Sequence, residues 1–305
     1  MLNPMQHDHL HDSDHDGLHD RGLAFDLATL RARRAAPSRL ERRGALKLLA
    51  GAGAGLVLVA CGSDSKSASS TSASTPTTAA TSTTAGSSST TTSGASSTPT
   101  ETIPGETGGP FPGDGSNGPN VLVESAIVRS DIRSSFGEYS GRAEGVPLKV
   151  DLTIVTASSG APLAGAAVYV WHCDRDGGYS LYSSGVTDQN YLRGVQEADG
   201  DGRLSFTSIF PAAYPGRWPH IHFEVFPDLA TATSAGSTLV TSQLALPEEA
   251  CSLVFATPGY EQSVRNMTQT SLDRDIVFRD GYASQLASIT GSVDTGMTAS
   301  LTVGV

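Results

Sequence analysis

The chain is poor in cysteine, in positive charge and in long apolar runs, and each shortage removes a class of protein. Three cysteines in 305 residues, Cys61, Cys173 and Cys251, are too few for a disulfide-built scaffold. Lys and Arg number 20 against 31 Asp and Glu, a formal charge of −11. Nucleic acid and anionic lipid both select a basic footprint, and the second half carries no basic stripe, so no nucleic-acid partner is expected. The apolar, Gly/Ala-rich run from Ala45 to Ala60, interrupted by Lys47, is short for a membrane-spanning helix, which needs roughly 20 residues. Histidine is scarce too: beyond the first 40 residues only His172, His220 and His222 remain.

What is present is unevenly spread. Residues 1–61 read as a leader and export signal. The leader opens with a His/Asp tract, His7 to Asp20, either a metal-collecting tail or a plain solvated segment. Arg42-Arg43, the apolar run and Leu58-Val59-Ala60-Cys61 then form a paired-arginine region, an apolar core and small residues before a cysteine. This resembles a twin-arginine signal ending in a bacterial lipoprotein box, although Gly44-Ala45 replaces the usual continuation after the arginines. The resemblance implies acylation at Cys61, with the protein lipid-anchored on the outer face of the cytoplasmic membrane. Residues 62–103 are almost wholly Ser, Thr, Ala, Gly and Pro, without an aromatic residue. They hold too little apolar surface to offset ordering entropy and read as a disordered tether.

Residues 104–305 are expected to form one domain. Leu148 to Ile154 alternates apolar and polar residues, the pattern of a half-buried strand. Ala166 to Cys173 is apolar on both faces and reads as a buried strand. Arg203–Ile209, His220–Phe226, Leu239–Leu244 and Ala299–Val303 are further strands, separated by turn signals at Gly160-Ala161-Pro162, Asp174–Gly178, Asp199–Gly202 and Pro215-Gly216. No long helical period occurs. Short strands with regular turns predict an all-β domain, a β-sandwich.

The chemistry centres on His220-Ile221-His222. On a strand the side-chain period is two, so both imidazoles share one face while Ile221, Phe223 and Val225 anchor the other. Such a pair is half of a metal site, or simply two hydrogen-bonded surface histidines. Tyr214 lies six positions upstream, and Pro215-Gly216 can turn its phenol back over the histidines. Tyr179 follows the buried strand and the Asp176-Gly177-Gly178 turn. Taken singly, either tyrosine reads as a half-buried aromatic with its hydroxyl satisfied.

Together these stretches resemble the intradiol ring-cleavage dioxygenases, the family of catechol 1,2-dioxygenase and protocatechuate 3,4-dioxygenase. The resemblance is carried by Val170 to Tyr179 and by Tyr214-Pro215-Gly216-Arg217-Trp218-Pro219-His220-Ile221-His222-Phe223, and more loosely by Gly108-Gly109-Pro110-Phe111, which matches the substrate-side loop. It implies an Fe(III) site with Tyr179 as the permanent tyrosinate, Tyr214 as the axial tyrosinate that leaves when substrate arrives, and His220 and His222 as nitrogen ligands. It assigns Arg217 to stabilising charge on the activated ring. The implied reaction opens a catechol-type aromatic with O2 to a muconate-type diacid. A short segment between Tyr214 and His220 implies a shallower, more open pocket than in the cytoplasmic members, and the family's helical dimer domain has no counterpart. Two rivals remain: a non-catalytic module holding ferric iron or a catecholate, and a zinc or copper site using only the histidines. His172, next to Trp171 in the buried strand, reads as structural. Cys173 and Cys251 can pair in an oxidising compartment. Glu248-Glu249 and Asp273-Arg274-Asp275 read as solvated loop charges.

Overall fold

The computed structural model describes residues 98–305; the leader, the export signal, Cys61 and most of the stretch read as a tether lie outside them. Eight strands form two four-stranded sheets. They are β1 (Pro147–Val155), β2 (Ala167–Trp171), β3 (Arg193–Glu197), β4 (Arg203–Ile209), β5 (His220–Phe226), β6 (Val240–Ala245), β7 (Ser288–Ser292) and β8 (Gly296–Gly304). The first sheet has the order β4-β1-β8-β7 and the second β3-β2-β5-β6. All neighbours are antiparallel except β1 and β8, which run parallel from Leu148↔Met297 to Val155↔Gly304. Three short helices, α1 (Leu229–Thr233), α2 (Glu248–Phe255) and α3 (Glu261–Met267), lie after β5. None of the described helices is long and apolar enough to cross a membrane.

The alternation in β1 places Leu148, Val150, Leu152 and Ile154 inward, where they meet Val168 and Val170 of β2 and Ile221, Phe223 and Val225 of β5 in the core between the sheets. Each such side chain contributes about 1.5–3 kcal/mol on burial. The all-β sandwich expected from the sequence is therefore present. The second sheet is buried on its outer face as well. There Tyr169, Trp171, Val195 and Phe226 pack under Val121, Leu122, Ile127 and Tyr179 from loops. Double burial explains why β2 and β5 read as buried throughout. It also provides a face from which water is excluded.

Some boundaries moved. Thr100 N–H donates to Ala157 O and Ile103 N–H to Gly304 O, both at 2.9 Å, and Ile103 belongs to the core. The last residues of the 62–103 stretch thus pack on the sandwich. Strands β3 and β7 had no apolar alternation to announce them: β3 begins with a buried Arg193-Gly194, and β7 is an exposed Ser/Gly edge.

Candidate metal centre

The site is built on the outer face of the second sheet. In register across it lie Arg193, Trp171, His222 and Gln243, contributed by β3, β2, β5 and β6. The His222 ring stacks on Trp171 with centroids 4.9 Å apart and planes 7° from parallel. His220, two residues earlier, points to the same face and sets its ring edge-on to His222.

Two turns deliver the tyrosines. The first follows β2. Asp174 Oδ1 accepts from Asp176 N (3.0 Å) and Gly178 N (2.8 Å), closing a tight turn. Gly177 holds φ of 90° there, a conformation side-chain-bearing residues rarely adopt. Tyr179 emerges from this turn only 2% exposed. The second turn contains Pro215-Gly216, with Gly216 at φ 79° and Arg217 N–H donating to Tyr214 O. It returns the chain to β5 so that the Tyr214 ring lies 5.6 Å from that of His220. Helix α3 fixes this loop from below: Asn266 Nδ2 donates to Ala213 O and Ser263 Oγ accepts from Ala213 N. The two turns are joined directly, because Ala212 N–H donates to Asp174 O.

Four donor atoms converge. Tyr179 Oη lies 3.4 Å from Tyr214 Oη, Tyr214 Oη 3.2 Å from His220 Nε2, and His220 Nε2 3.1 Å from His222 Nε2. Burial, its first cause, pushes both imidazoles well below the usual histidine range, and the charge of Arg217 adds to this. Burial likewise pushes the Tyr179 phenol well above its usual value. Each ring is thus neutral and carries one N–H. In His220 that proton lies on Nδ1, which donates to Trp218 O, leaving an Nε2 lone pair aimed into the site. His222 Nδ1 is buried without a hydrogen-bond partner, so neither tautomer satisfies both nitrogens of that ring. Two imidazole nitrogens and two phenol oxygens held this close meet the test for a cation. Donors at about 2.0–2.1 Å from a common centre lie roughly 3.0–3.4 Å from one another. Among the described residues no group of three or more His, Cys, Asp or Glu could hold a metal. The side chains beside the two imidazoles that could add to such a set are the phenols of Tyr179 and Tyr214.

Arg217 is fully buried. Its Nε donates to Asp275 Oδ2 (3.0 Å) and its Nη2 to Gln243 Oε1 (2.6 Å). Asp275 thus corrects one reading of the sequence. Asp273 and Arg274 are exposed loop charges; Glu248 and Glu249 are exposed but lie in the first turn of α2 rather than in a loop; and Asp275 is a fully buried ion-pair partner. Both folded-domain cysteines are buried free thiols, so Cys173 and Cys251 are not paired. His172 bridges Cys173 O and Ser208 Oγ.

Sequence reasoning did not find Arg193, Gln243, Asp275 or Glu106. Arg193 is buried, and its guanidinium donates to Phe111 O, Pro112 O, Ser180 O, Ser180 Oγ and Tyr169 Oη. It ties the Gly108–Phe111 stretch to the loop bearing Tyr179. Phe111 accordingly packs its ring 5.1 Å from Tyr179 and 5.2 Å from Tyr182. None of these four residues stands in a motif, and only their burial marks them.

Residues 118–222, which contain all four donors and Arg217, match a family model described as Dioxygenase. A chlorocatechol 1,2-dioxygenase of Rhodococcus opacus is 43% identical over 107 residues, covering 32% of this chain and 42% of that protein. A 6-chlorohydroxyquinol 1,2-dioxygenase of Cupriavidus pinatubonensis is 35% identical over 130 residues, covering 37% of this chain and 46% of that protein. The chain thus spans less than half the length of these relatives. The crystal structure of a dioxygenase superposes with a TM-score of 0.53 at 23% identity, covering 67% of this chain and 94% of that one. At that identity the likeness is one of fold.

Proposed function

We propose that this chain, whose residues 118–222 match the Dioxygenase family model, is an intradiol ring-cleavage dioxygenase that opens the ring of a catechol-type substrate with O2 and releases a muconate-type diacid. The observation that carries this reading is the convergence of Tyr179 Oη, Tyr214 Oη, His220 Nε2 and His222 Nε2 within steps of 3.1–3.4 Å. Anionic phenolates are hard donors and suit ferric iron, whereas softer thiolate sites suit zinc. When bound, Fe(III) supplies Lewis acidity that favours the catecholate form of the substrate and prepares the ring for O2.

The protein's own groups divide the remaining work. Tyr179 is sealed beneath Phe111 and serves as the fixed phenolate. Tyr214 is partly exposed at the mouth of the site and is the ligand placed to swing out, its Oη taking a proton from an incoming substrate hydroxyl. The Trp218 carbonyl and the Trp171 ring hold the two imidazoles in orientation. Arg217 presents fixed positive charge in a dry environment, which lowers the energy of a charged ring form.

The test is optical and then respirometric. Iron-loaded protein should be red to purple from phenolate-to-iron charge transfer, and a catechol should shift that band and consume one O2 per ring opened. A colourless iron-loaded protein refutes the ligand set. A coloured protein that binds catechol without oxygen uptake supports the binding module instead. The leader adds a proposal about place: acylation at Cys61 anchors the domain outside the cytoplasm. Cys61→Ala should then abolish incorporation of labelled fatty acid, and unchanged labelling would refute the anchor.

A further inference from the structure

Beyond the region matched by the family, residues 270–287 close one side of the site through a single carboxylate. Asp275 is 0% exposed and both of its oxygens are engaged. Oδ1 accepts from Val277 N (2.8 Å) and Phe278 N (3.3 Å), which starts the short 3-10 turn Phe278–Asp280. Oδ2 accepts from Trp218 N (2.6 Å) and Arg217 Nε (3.0 Å). Arg217 continues the chain to Gln243 Oε1, and Gln243 Nε2 donates to Thr107 O (2.9 Å) in the stretch leading to Gly108. Gln243 is the register partner of His222, and the Phe278 ring lies against His220 at 6.4 Å. A buried polar chain therefore runs from the C-terminal segment to the substrate-side loop, passing beside both histidines.

A buried ion pair is seldom retained for stability, because desolvating two charges offsets much of their attraction. What it supplies is direction. A guanidinium held at Nε by one carboxylate oxygen has its plane fixed, so its Nη edge has one place to point. The same oxygen takes the Trp218 N–H, and Trp218 O orients His220. One group thus sets both the arginine and the turn that carries a donor.

We propose that Asp275 is a positioning residue: by pairing with Arg217 Nε and Trp218 N it aims the Arg217 guanidinium at the catecholate site. The proposal rests on the dioxygenase reading and deepens it. It acts through Arg217, with the Trp218 turn held by the same oxygen, and touches no substrate.

The test uses the full iron-loaded chain and 4-nitrocatechol, whose visible absorption reports its ionisation on binding. Asp275→Asn removes the charge and keeps the shape; Asp275→Glu keeps the charge and displaces it. Each should retain iron near the wild-type level yet bind 4-nitrocatechol at least tenfold more weakly, with turnover reduced as much. In an Arg217→Gln background, Asp275→Asn should change the affinity by less than twofold, since the ion pair with Arg217 is already gone and the Asn oxygen still accepts from Trp218 N. Wild-type affinity in both single variants overturns the proposal, as does a further tenfold loss in the Arg217→Gln background. Loss of iron in both variants also overturns it, because the role is then structural. If wild-type protein binds no 4-nitrocatechol, the catechol reading itself fails, and this outcome is distinct from the others.

Discussion

The two sheets of the sandwich obey the same strand physics and do different work. The first keeps one face wet. Lys149, Asp151 and Thr153 of β1, Arg203 and Ser205 of β4, and Ser300 and Thr302 of β8 all face outward. The second has no wet face: β2 and β5 are buried along their whole length, and loops cover the side away from the core. Its Arg193, Glu224, Thr241 and Gln243 are buried and hydrogen-bonded, whereas His222 Nδ1 is buried without a hydrogen-bond partner. Two buried arginines, Arg193 and Arg217, lie here, together with the two imidazoles and Tyr179. Burial on both faces favours the neutral forms of these groups, and on the proposed reading cation binding there would release protons. The difference lies in what covers the outer face rather than in the strands.

The sharpest way to break that comparison is to remove a donor while leaving the cover intact. Tyr179→Phe deletes one oxygen and keeps the ring against Phe111 and Tyr214. The fold should persist, iron should not be retained, and oxygen uptake should fall more than about 100-fold, beyond the 10–100-fold typical of groups that merely orient ligands. His222→Ala should behave alike. Iron analysis and a circular dichroism spectrum decide the matter; full iron content in either variant would remove that residue from the ligand set.

The same contrast explains what the sequence disclosed. On the first sheet each residue's environment follows from its parity along the strand, so β1, β4 and β8 were visible as alternation. On the second, β5 was visible through His220-Ile221-His222 and β2 through its unbroken apolar run. Tyr179 and Tyr214 drew notice beside the turns at Gly177 and Gly216, but their place in the site came from the resemblance of the two stretches that contain them. Asp275 was misread and Gln243 unnoticed for a single reason. A hydrophilic residue in a loop or on an edge strand looks solvated, and only a partner 58 or 26 positions away in the chain reveals its burial. No local pattern encodes that. The α2 and α3 helices were missed because each is only about two turns long, eight and seven residues.

A smaller effect is expected from Glu106, whose N–H donates to Thr241 O at the outer edge of the second sheet. Burial, and next the charge of Asp280, push its carboxyl up from 4.5 to about 7. Between those values the folded protein holds a proton that the unfolded chain has lost, so stability falls as pH rises through that window, and the cost is fully present above it. Glu106→Gln has no proton to lose. In the apoprotein it should gain relative to wild type between pH 5 and pH 8, by on the order of 1 kcal/mol after allowance for solvent screening. That corresponds to about 2–4 °C in melting temperature. An equal difference between variant and wild type at the two pH values would show that Glu106 does not titrate in this range.

The smallest effect belongs to the wet face. Lys149 Nζ lies 2.9 Å from Asp151 Oδ1, a distance close to the 3.0 Å of Arg217 Nε from Asp275 Oδ2. Distance therefore does not separate the two pairs; surroundings do. The Lys149 side chain is 52% exposed, whereas both members of the other pair are at 0%. Water and salt screen the first pair, and when one partner is removed the other is simply rehydrated. Lys149→Ala should change stability by no more than about 0.5 kcal/mol, whereas removing one member of a buried pair typically costs about 3–5 kcal/mol. Urea melts of Lys149→Ala and Asp275→Asn measure both sides. Similar losses in the two variants would mean that the outer face of the second sheet admits water, and the contrast between the sheets would then disappear.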